Sequence, residues 1–260
     1  MTQLGFIGFG KMAQALYSRA DKTLFTCSYY DPHLPEATIP QLSLPQLIET
    51  SDLILLCIKP QSLSELKNQW PQISLEGKHI VSILAGTTLA QLETAFGKIA
   101  ITRVMPNTPA LVGQSMSAFT HNKHVTPAQK TSLLSLLNQC GHTQEVPENL
   151  MNIITAISGS GPAFFYKIAD AIAQSGKEHN LDYETAIVLT AQTMIGAGHM
   201  LLEANKTPQT LINDVSSPNG TTVAGLSIMT NSPIESILKE TINAAYNRAI
   251  DLSKGDSHAI

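Results

Sequence analysis

Five short apolar runs, Leu4–Ile7, Leu24–Tyr30, Leu53–Ile58, His79–Leu84 and Ile99–Val104, punctuate the first part of the chain at helix-length intervals. The stretches between them read as helices: Lys11–Ala20, Leu44–Glu49, Leu63–Gln69 and Thr88–Phe96. Parallel strands can be joined only by a crossover, usually helical. The alternation therefore dictates a parallel sheet with helices on both faces. Beyond residue 147 the strand signals stop. Pro147-Glu148 reads as a helix start, with proline at the first helical position and an acid in the first turn. Helices are expected over Glu148–Ile157, Ala163–His179, Tyr183–Glu203, Val223–Met229 and Pro233–Ser253. Small residues among them, Ala191, Gly196, Ala197 and Gly198, let helices approach closely. The pattern predicts an α/β domain over residues 1–147 and an all-α domain over residues 148–260.

With 43% hydrophobic and 14% charged residues, the chain has ample core material and too little charge for a disordered segment. Its formal net charge of −4 argues against a nucleic-acid partner, which would call for a basic patch. Cys27, Cys57 and Cys140 form no CxxC pair and are odd in number, so neither a disulfide framework nor a metal site is expected. The longest purely apolar run, Leu53–Ile58, is far too short to span a bilayer. No signal peptide is expected, because Leu4 to Gly8 already reads as a strand entering a turn. These features predict a soluble, reduced, cytoplasmic protein with no membrane partner.

Gly8-Phe9-Gly10-Lys11-Met12-Ala13 is a G-x-G-x-x-A turn placed after the first strand and opening the first helix. The first glycine makes the tight turn, the second admits a pyrophosphate close to the backbone, and the small third residue lets helix and strand pack. The helix N-terminus then offers free N–H groups and a partial positive charge to phosphates. The second strand ends at Tyr30-Asp31-Pro32, where a carboxylate accepts hydrogen bonds from ribose hydroxyls and repels a 2′-phosphate. Asp31 therefore leans toward NAD(H). No arginine follows closely, and His33 is the nearby candidate to meet a phosphate.

Three more segments stand at carboxyl ends of strands, where open α/β sheets bind ligands. They are Ile58-Lys59-Pro60-Gln61, Ala85-Gly86-Thr87-Thr88 and Arg103 through Pro109. The candidate cofactor residues are thus Gly8, Gly10, Lys11, Met12, Asp31, Lys59, Pro60, Ala85, Gly86 and Asn107. In the helical half, Ser158-Gly159-Ser160-Gly161-Pro162 interrupts two helices, and Val215 through Gly225 forms a hydroxyl-rich loop feeding another. Such a helix start binds carboxylates through N–H donors, dipole and hydroxyls together. No histidine lies in these loops, and no Ser-His-Asp order, H-E-x-x-H or P-loop lysine motif is present. Hydroxyls, backbone amides and Lys59 remain, which suits a reaction whose hard chemistry belongs to a cofactor.

In order along the chain, Gly5 through Met12, Lys59-Pro60-Gln61, Arg103 through Pro109, Ser158 through Ala163 and Asp214 through Gly225 resemble the motifs of the pyrroline-5-carboxylate reductase family. The resemblance implies hydride transfer from NADPH, the family's usual cofactor, or from NADH, toward which Asp31 leans, to the C=N carbon of 1-pyrroline-5-carboxylate, giving L-proline. It implies a homodimer interlocked through the helical domains, often assembled further, with each active site between a dinucleotide domain and helical-domain residues. It also implies that Ser216, Ser217, Asn219, Gly220, Thr221 and Thr222 hold the substrate carboxylate and ring nitrogen. Ser217 and Thr222 are the catalytic candidates, Thr222 facing the imine or amine nitrogen.

Two positions depart from the family pattern. Asn219-Gly220 stands where Gly-Gly is frequent, and asparagine is the non-glycine residue that best tolerates positive φ. Lys11 stands where asparagine is frequent, and adds positive charge beside the pyrophosphate. The nearest rival, a 3-hydroxyacid dehydrogenase, requires a Lys-x-x-x-Asn pair, whereas Lys167 is followed by Ala171. A dinucleotide sensor without turnover would need the glycine turn but not the hydroxyl loop.

Overall fold

The computed structural model describes residues 1–34, 37–70 and 72–254. Strands and helices alternate first: β1 (Thr2–Ile7), α1 (Lys11–Arg19), β2 (Phe25–Tyr30), α2 (Leu44–Thr50), β3 (Leu53–Leu56), α3 (Leu63–Gln69), β4 (His79–Ser82), α4 (Leu89–Phe96) and β5 (Ala100–Met105). They continue with β6 (Ser115–His121), α5 (Pro127–Cys140) and β7 (Gly141–Glu145). Helices alone follow: α6 (Met151–Ile154), α7 (Gly161–Glu178), α8 (Tyr183–Glu203), α9 (Pro208–Asp214), α10 (Thr221–Thr230) and α11 (Ile234–Ser253). Residues 255–260 of the expected helical domain lie outside the described residues.

The strands form one sheet of order β2-β1-β3-β4-β5-β6-β7. The pairs among β2, β1, β3, β4 and β5 are parallel, β6 runs antiparallel to β5, and β7 is parallel to β6. The period-two alternation of strand side chains divides the core into two layers. Leu4, Phe6, Leu53 and Leu55 pack with Leu16 of α1 and Leu136 of α5, whereas Ile7, Ile54 and Leu56 pack with Leu47 of α2 and Leu92 of α4. Three sheet-covering helices start with a capping box: Ser43, Thr88 and Thr126 each accept from the backbone N–H of a glutamine three residues on. Each box satisfies two donors that a helix start would otherwise leave orphaned.

The sheet is larger and less uniform than the sequence pattern predicts. β6 reads Ser-Met-Ser-Ala-Phe-Thr-His, poor in the branched residues that signal strands. It is nevertheless interior to the sheet, with Ser115, Ser117 and Thr120 buried. Its serine hydroxyls find local partners: Ser115 Oγ lies 3.2 Å from Ser117 Oγ and accepts from Asn107 N–H at 3.3 Å. β7 is a polar edge strand without apolar alternation, and α5 and α9 also lie outside the predicted helices.

Pro147 stands before the helical turn it was expected to open, and a 3-10 turn begins at Glu148. The Glu148 carboxylate serves another element instead. Its Oε1 accepts from buried Arg103 Nη1 and from the Leu89 N–H, both at 2.7 Å, joining β5 to the start of α4. Burial disfavours the charged guanidinium of Arg103, and Glu148 partly restores it.

By compactness the chain divides into one unit of residues 1–162 with 243–260 and a second of residues 163–242. In the first, large side chains such as Tyr29, Phe6, Phe9 and Phe25 are fully enclosed. In the second, the buried apolar residues among those described are Ala169, Ala173 and Ala186. Its loops are nonetheless well made. Asp182 caps α8 by accepting from Thr185 N–H at 2.9 Å, and Tyr183 Oη donates to Asp170 Oδ1 at 3.0 Å.

Candidate active site

The chain leaves β1 through Gly8, at φ +83°. A Cβ there would lie 2.8 Å from the Cys57 carbonyl oxygen beyond β3, so only glycine fits. The sheet order reverses at this point, with β2 on one side of β1 and β3 on the other. Open α/β sheets place their ligand crevice at such a switch point. Phe9 points inward at 2% exposure, against Phe6, Tyr17 and Tyr29 with ring centroids 4.9 to 5.9 Å away. Gln14 Nε2 donates to the Phe9 carbonyl at 2.9 Å, tying the turn to α1. Gly10 caps α1 without a side-chain hydrogen bond, and a Cβ on it would meet nothing within 4 Å. The first N–H groups of α1 thus stand bare beside open space, a seat that fits a pyrophosphate.

A cavity of about 490 Å³ adjoins this turn, lined by Gly8, Gly10, Asp31, Lys59, Ser62 and Glu65 among others. Asp31 is held from two directions. Its Oδ2 accepts from the Phe9 N–H and its Oδ1 from the His33 N–H, each at 2.9 Å. Lys59 is exposed and precedes the 3-10 turn Pro60–Ser62, which Pro60 opens with its preset φ. Four predicted cofactor residues, Gly8, Gly10, Asp31 and Lys59, therefore share one cavity. Lys11 and Met12 form the first turn of α1, Lys11 exposed and Met12 packed on the core. Glu65, Ser62 and Gln69, on or just before α3, also line the cavity; no motif distinguishes them in the sequence.

The other three candidates lie apart from that cavity, at the carboxyl ends of β4 and β5. Ala85 is half-buried, and Gly86 has φ +77°. A Cβ on Gly86 would come within 2.7 to 2.9 Å of Leu252 and Ser253, so helix packing accounts for this glycine. Asn107 is buried, and its amide is engaged by the fold. Oδ1 accepts from Met116 N–H, and Nδ2 donates to the Ser158 carbonyl, both at 3.1 Å.

That carbonyl is open for a chemical reason. In an α-helix Ser158 C=O would receive the N–H of residue 162, but Pro162 has none. The backbone responds with a π-helical turn over Thr155–Gly159, Ser160 N–H donating to the Thr155 carbonyl at 2.9 Å. The segment expected as an interruption is thus a widened turn running on into α7. Gly159 permits it by sitting against Met105, whose Sδ would lie 3.1 Å from an added Cβ.

In the helical unit the hydroxyl-rich loop turns at Asn219, φ +58°, the left-handed conformation expected of it. Gly220 N–H donates to the Ser217 carbonyl at 3.0 Å, and a Cβ on Gly220 would lie 2.5 Å from Ser217 Oγ. Ser216 Oγ donates to the Ile212 carbonyl at 2.6 Å, closing α9. Gly220 caps α10 without a side chain, and the first intrahelical bond runs from Ala224 N–H to the Gly220 carbonyl. The N–H groups of Thr221, Thr222 and Val223 are therefore unpaired, beside the Ser217, Thr221 and Thr222 hydroxyls, which have no partner among the described residues. Donors in this arrangement accept a carboxylate.

The helices of this unit present apolar side chains outward. Phe165, Tyr166, Val188, Ile195, Leu202 and Ile228 are all more than half exposed. Gly196 and Gly198 face open space. By length and composition α8 could cross a membrane.

Comparison with known proteins gives separate family matches for the two parts of the chain. Residues 148–252 match the family described as pyrroline-5-carboxylate reductase dimerisation, and residues 3–86 match NADP oxidoreductase coenzyme F420-dependent. A pyrroline-5-carboxylate reductase of Synechocystis is 35% identical over 97% of this chain and 98% of its own. That of Methanosarcina acetivorans is 33% identical over 97% and 98%. The crystal structure of Plasmodium falciparum pyrroline carboxylate reductase with NADP bound superposes with a TM-score of 0.89 at 30% identity, covering 97% of this chain and 98% of that one.

Proposed function

The chain belongs to the pyrroline-5-carboxylate reductase family, and from that premise we propose that it reduces 1-pyrroline-5-carboxylate to L-proline, the last step of proline biosynthesis. A bound NADH or NADPH supplies the hydride to the C=N carbon, and a proton on the ring nitrogen completes the amine. The observation that carries the reading is the start of α10. Its unpaired N–H groups and the free Ser217, Thr221 and Thr222 hydroxyls form an anion seat in a helical unit, separate in sequence from the dinucleotide turn.

Each group has a task there. The backbone donors of Thr221 to Val223 hold the substrate carboxylate, which fixes the ring. The Thr222 hydroxyl hydrogen-bonds the ring nitrogen. Because the imine carbon is most electrophilic when the nitrogen is protonated, that contact strengthens as the hydride arrives. Ser217 and Ser216 shape the loop, and Asn219 supplies its left-handed turn. Gly8, Gly10 and the bare start of α1 hold the cofactor pyrophosphate.

We assign residues 1–147 as the dinucleotide-binding domain and residues 148–260 as the helical dimerisation and substrate domain, in keeping with the family match that begins at residue 148. The outward apolar face of α8, with its open Gly196 and Gly198, is covered by a second copy of the chain rather than by lipid. Three free thiols, Cys27, Cys57 and Cys140, accord with a cytoplasmic setting.

Oxidation of NADH and of NADPH with 1-pyrroline-5-carboxylate, followed separately by absorbance, tests the assignment. Imine-dependent turnover with either supports it, and none with both rejects it. Thr222→Ala is expected to lower kcat roughly ten- to a hundredfold with a smaller change in KM, as for a contact made mainly in the transition state. An unchanged kcat would reject the role of Thr222.

A further inference from the structure

Resting on the reading of this chain as a reductase using a nicotinamide dinucleotide, we infer that Asp31 selects the cofactor at its adenosine ribose, and that the chain takes NADH and rejects the 2′-phosphate of NADPH. Asp31 follows directly on β2, next to β1, and lines the cavity that Gly8 and Gly10 also line, where the ribose of a dinucleotide seated on that turn must lie. The carboxylate is fixed there. Its two oxygens accept from the N–H groups of Phe9 and His33, each at 2.9 Å, and the peptide carbonyl of Asp31 accepts from Gln41 Nε2 at 3.0 Å.

Each carboxylate oxygen can accept a second hydrogen bond. The 2′- and 3′-hydroxyls of a ribose are the donors that match. A 2′-phosphate offers no donor, and its charge would stand against a carboxylate that the fold prevents from turning away.

The rest of the lining points the same way. Glu65 brings a second carboxylate to the same cavity, against Lys59 and the imidazole of His33, and no arginine lines it among the described residues. Arginine is the residue that receives a 2′-phosphate in dinucleotide folds. Two arginines of this unit are committed elsewhere, Arg19 to the Leu111 carbonyl and Arg103 to Glu148.

The test uses fragments that carry only the adenosine end. ADP-ribose and 2′-phospho-ADP-ribose are titrated by calorimetry into the full chain, the Asp31→Asn variant and the Glu65→Gln variant. Asparagine keeps one acceptor for the turn, and position 65 lies on an exposed helix surface, so at least one variant folds as the parent. The parent chain is expected to bind ADP-ribose about tenfold or more tightly than its 2′-phosphate, the scale of a like-charge contact at partial exposure. Asp31→Asn should bring the ratio near one by gaining affinity for the phosphorylated fragment, and Glu65→Gln should narrow it by less.

Equal binding by the parent, preference for the phosphorylated fragment, or a ratio unmoved by Asp31→Asn would overturn the inference. So would failure to bind either fragment. Turnover assays separate this failure from that of the reductase reading. Equal kcat/KM with NADH and NADPH overturns the cofactor selection alone, whereas fragment discrimination without turnover supports it and rejects the reductase.

Discussion

The two compact units solve opposite problems. In the sheet unit, strand alternation drives Leu, Ile and Phe into two enclosed layers, and even its buried polar groups are mostly committed: Asn107, Arg103 and Ser115 each have a named partner within the unit. In the helical unit, alanines occupy the interior and the large apolar residues face out. Burial of large apolar surface is the main source of folding free energy, at about 25 cal/mol per Å². A unit whose buried side chains, among the described residues, are three alanines and Thr190 therefore draws its stability from a surface that something else must cover. One half of the chain is built to fold, and the other to associate.

The sharpest way to break that contrast is to charge the outward face. Val188→Glu combined with Ile195→Glu places two carboxylates one above the other on α8. Sedimentation should show complete loss of the dimer at micromolar concentration, while ADP-ribose binding to the sheet unit persists. A dimer that survives would mean that the apolar face of α8 is not the associating surface. Next in size is Gly8→Ala, which forces a Cβ against the Cys57 carbonyl at positive φ. Urea unfolding should register about 2–4 kcal/mol of lost stability, with dinucleotide binding abolished.

Acid should weaken the sheet unit. His79 is buried, bonded through Nε2 to Thr102 Oγ1 at 2.8 Å, and burial with His121 nearby pushes it down to about 4. An imidazole in the unfolded chain titrates near pH 6.5, so between these values the unfolded state holds the extra proton. Stability is then full above about pH 6.5 and falls toward pH 4, by up to about 3 kcal/mol. His79→Gln should flatten the slope in unfolding measured across that range. Smallest of the four is Asn107→Ala, which strands the Ser158 carbonyl and the Met116 N–H, at about 2 kcal/mol in the same unfolding measurement.

The sheet unit was largely legible in the sequence because its rules are local. Glycines at a strand end, a small residue on the following helix and apolar runs of strand length each announce a geometry. β6 escaped because Ser115, Ser117 and Thr120 take buried positions beside Ala118 and Phe119 and break up the apolar period that marks a strand. Glu148 was read as a helix-start acid because sequence shows only its neighbours in the chain, and its partners Arg103 and Leu89 come from β5 and α4. The same holds for Asn107. Its Pro-Asn-Thr-Pro setting marks a rigid loop, but the carbonyl it serves is exposed by Pro162, far along the chain. The loop before α10 could be read because its chemistry is again local: hydroxyls, a positive-φ asparagine and a helix start lie in one stretch.

The hydrogen bonds at Asp31 bind two properties into one residue. The carboxylate that would discriminate between cofactors also holds the Phe9 amide of the glycine turn and the first residues beyond β2. Mutation at this position cannot explore cofactor choice freely, since each change also alters how firmly the turn is held. A lineage passing from one dinucleotide to the other would therefore be expected to acquire a stabilising change elsewhere first, or to install a new cation from α3 while leaving residue 31 in place.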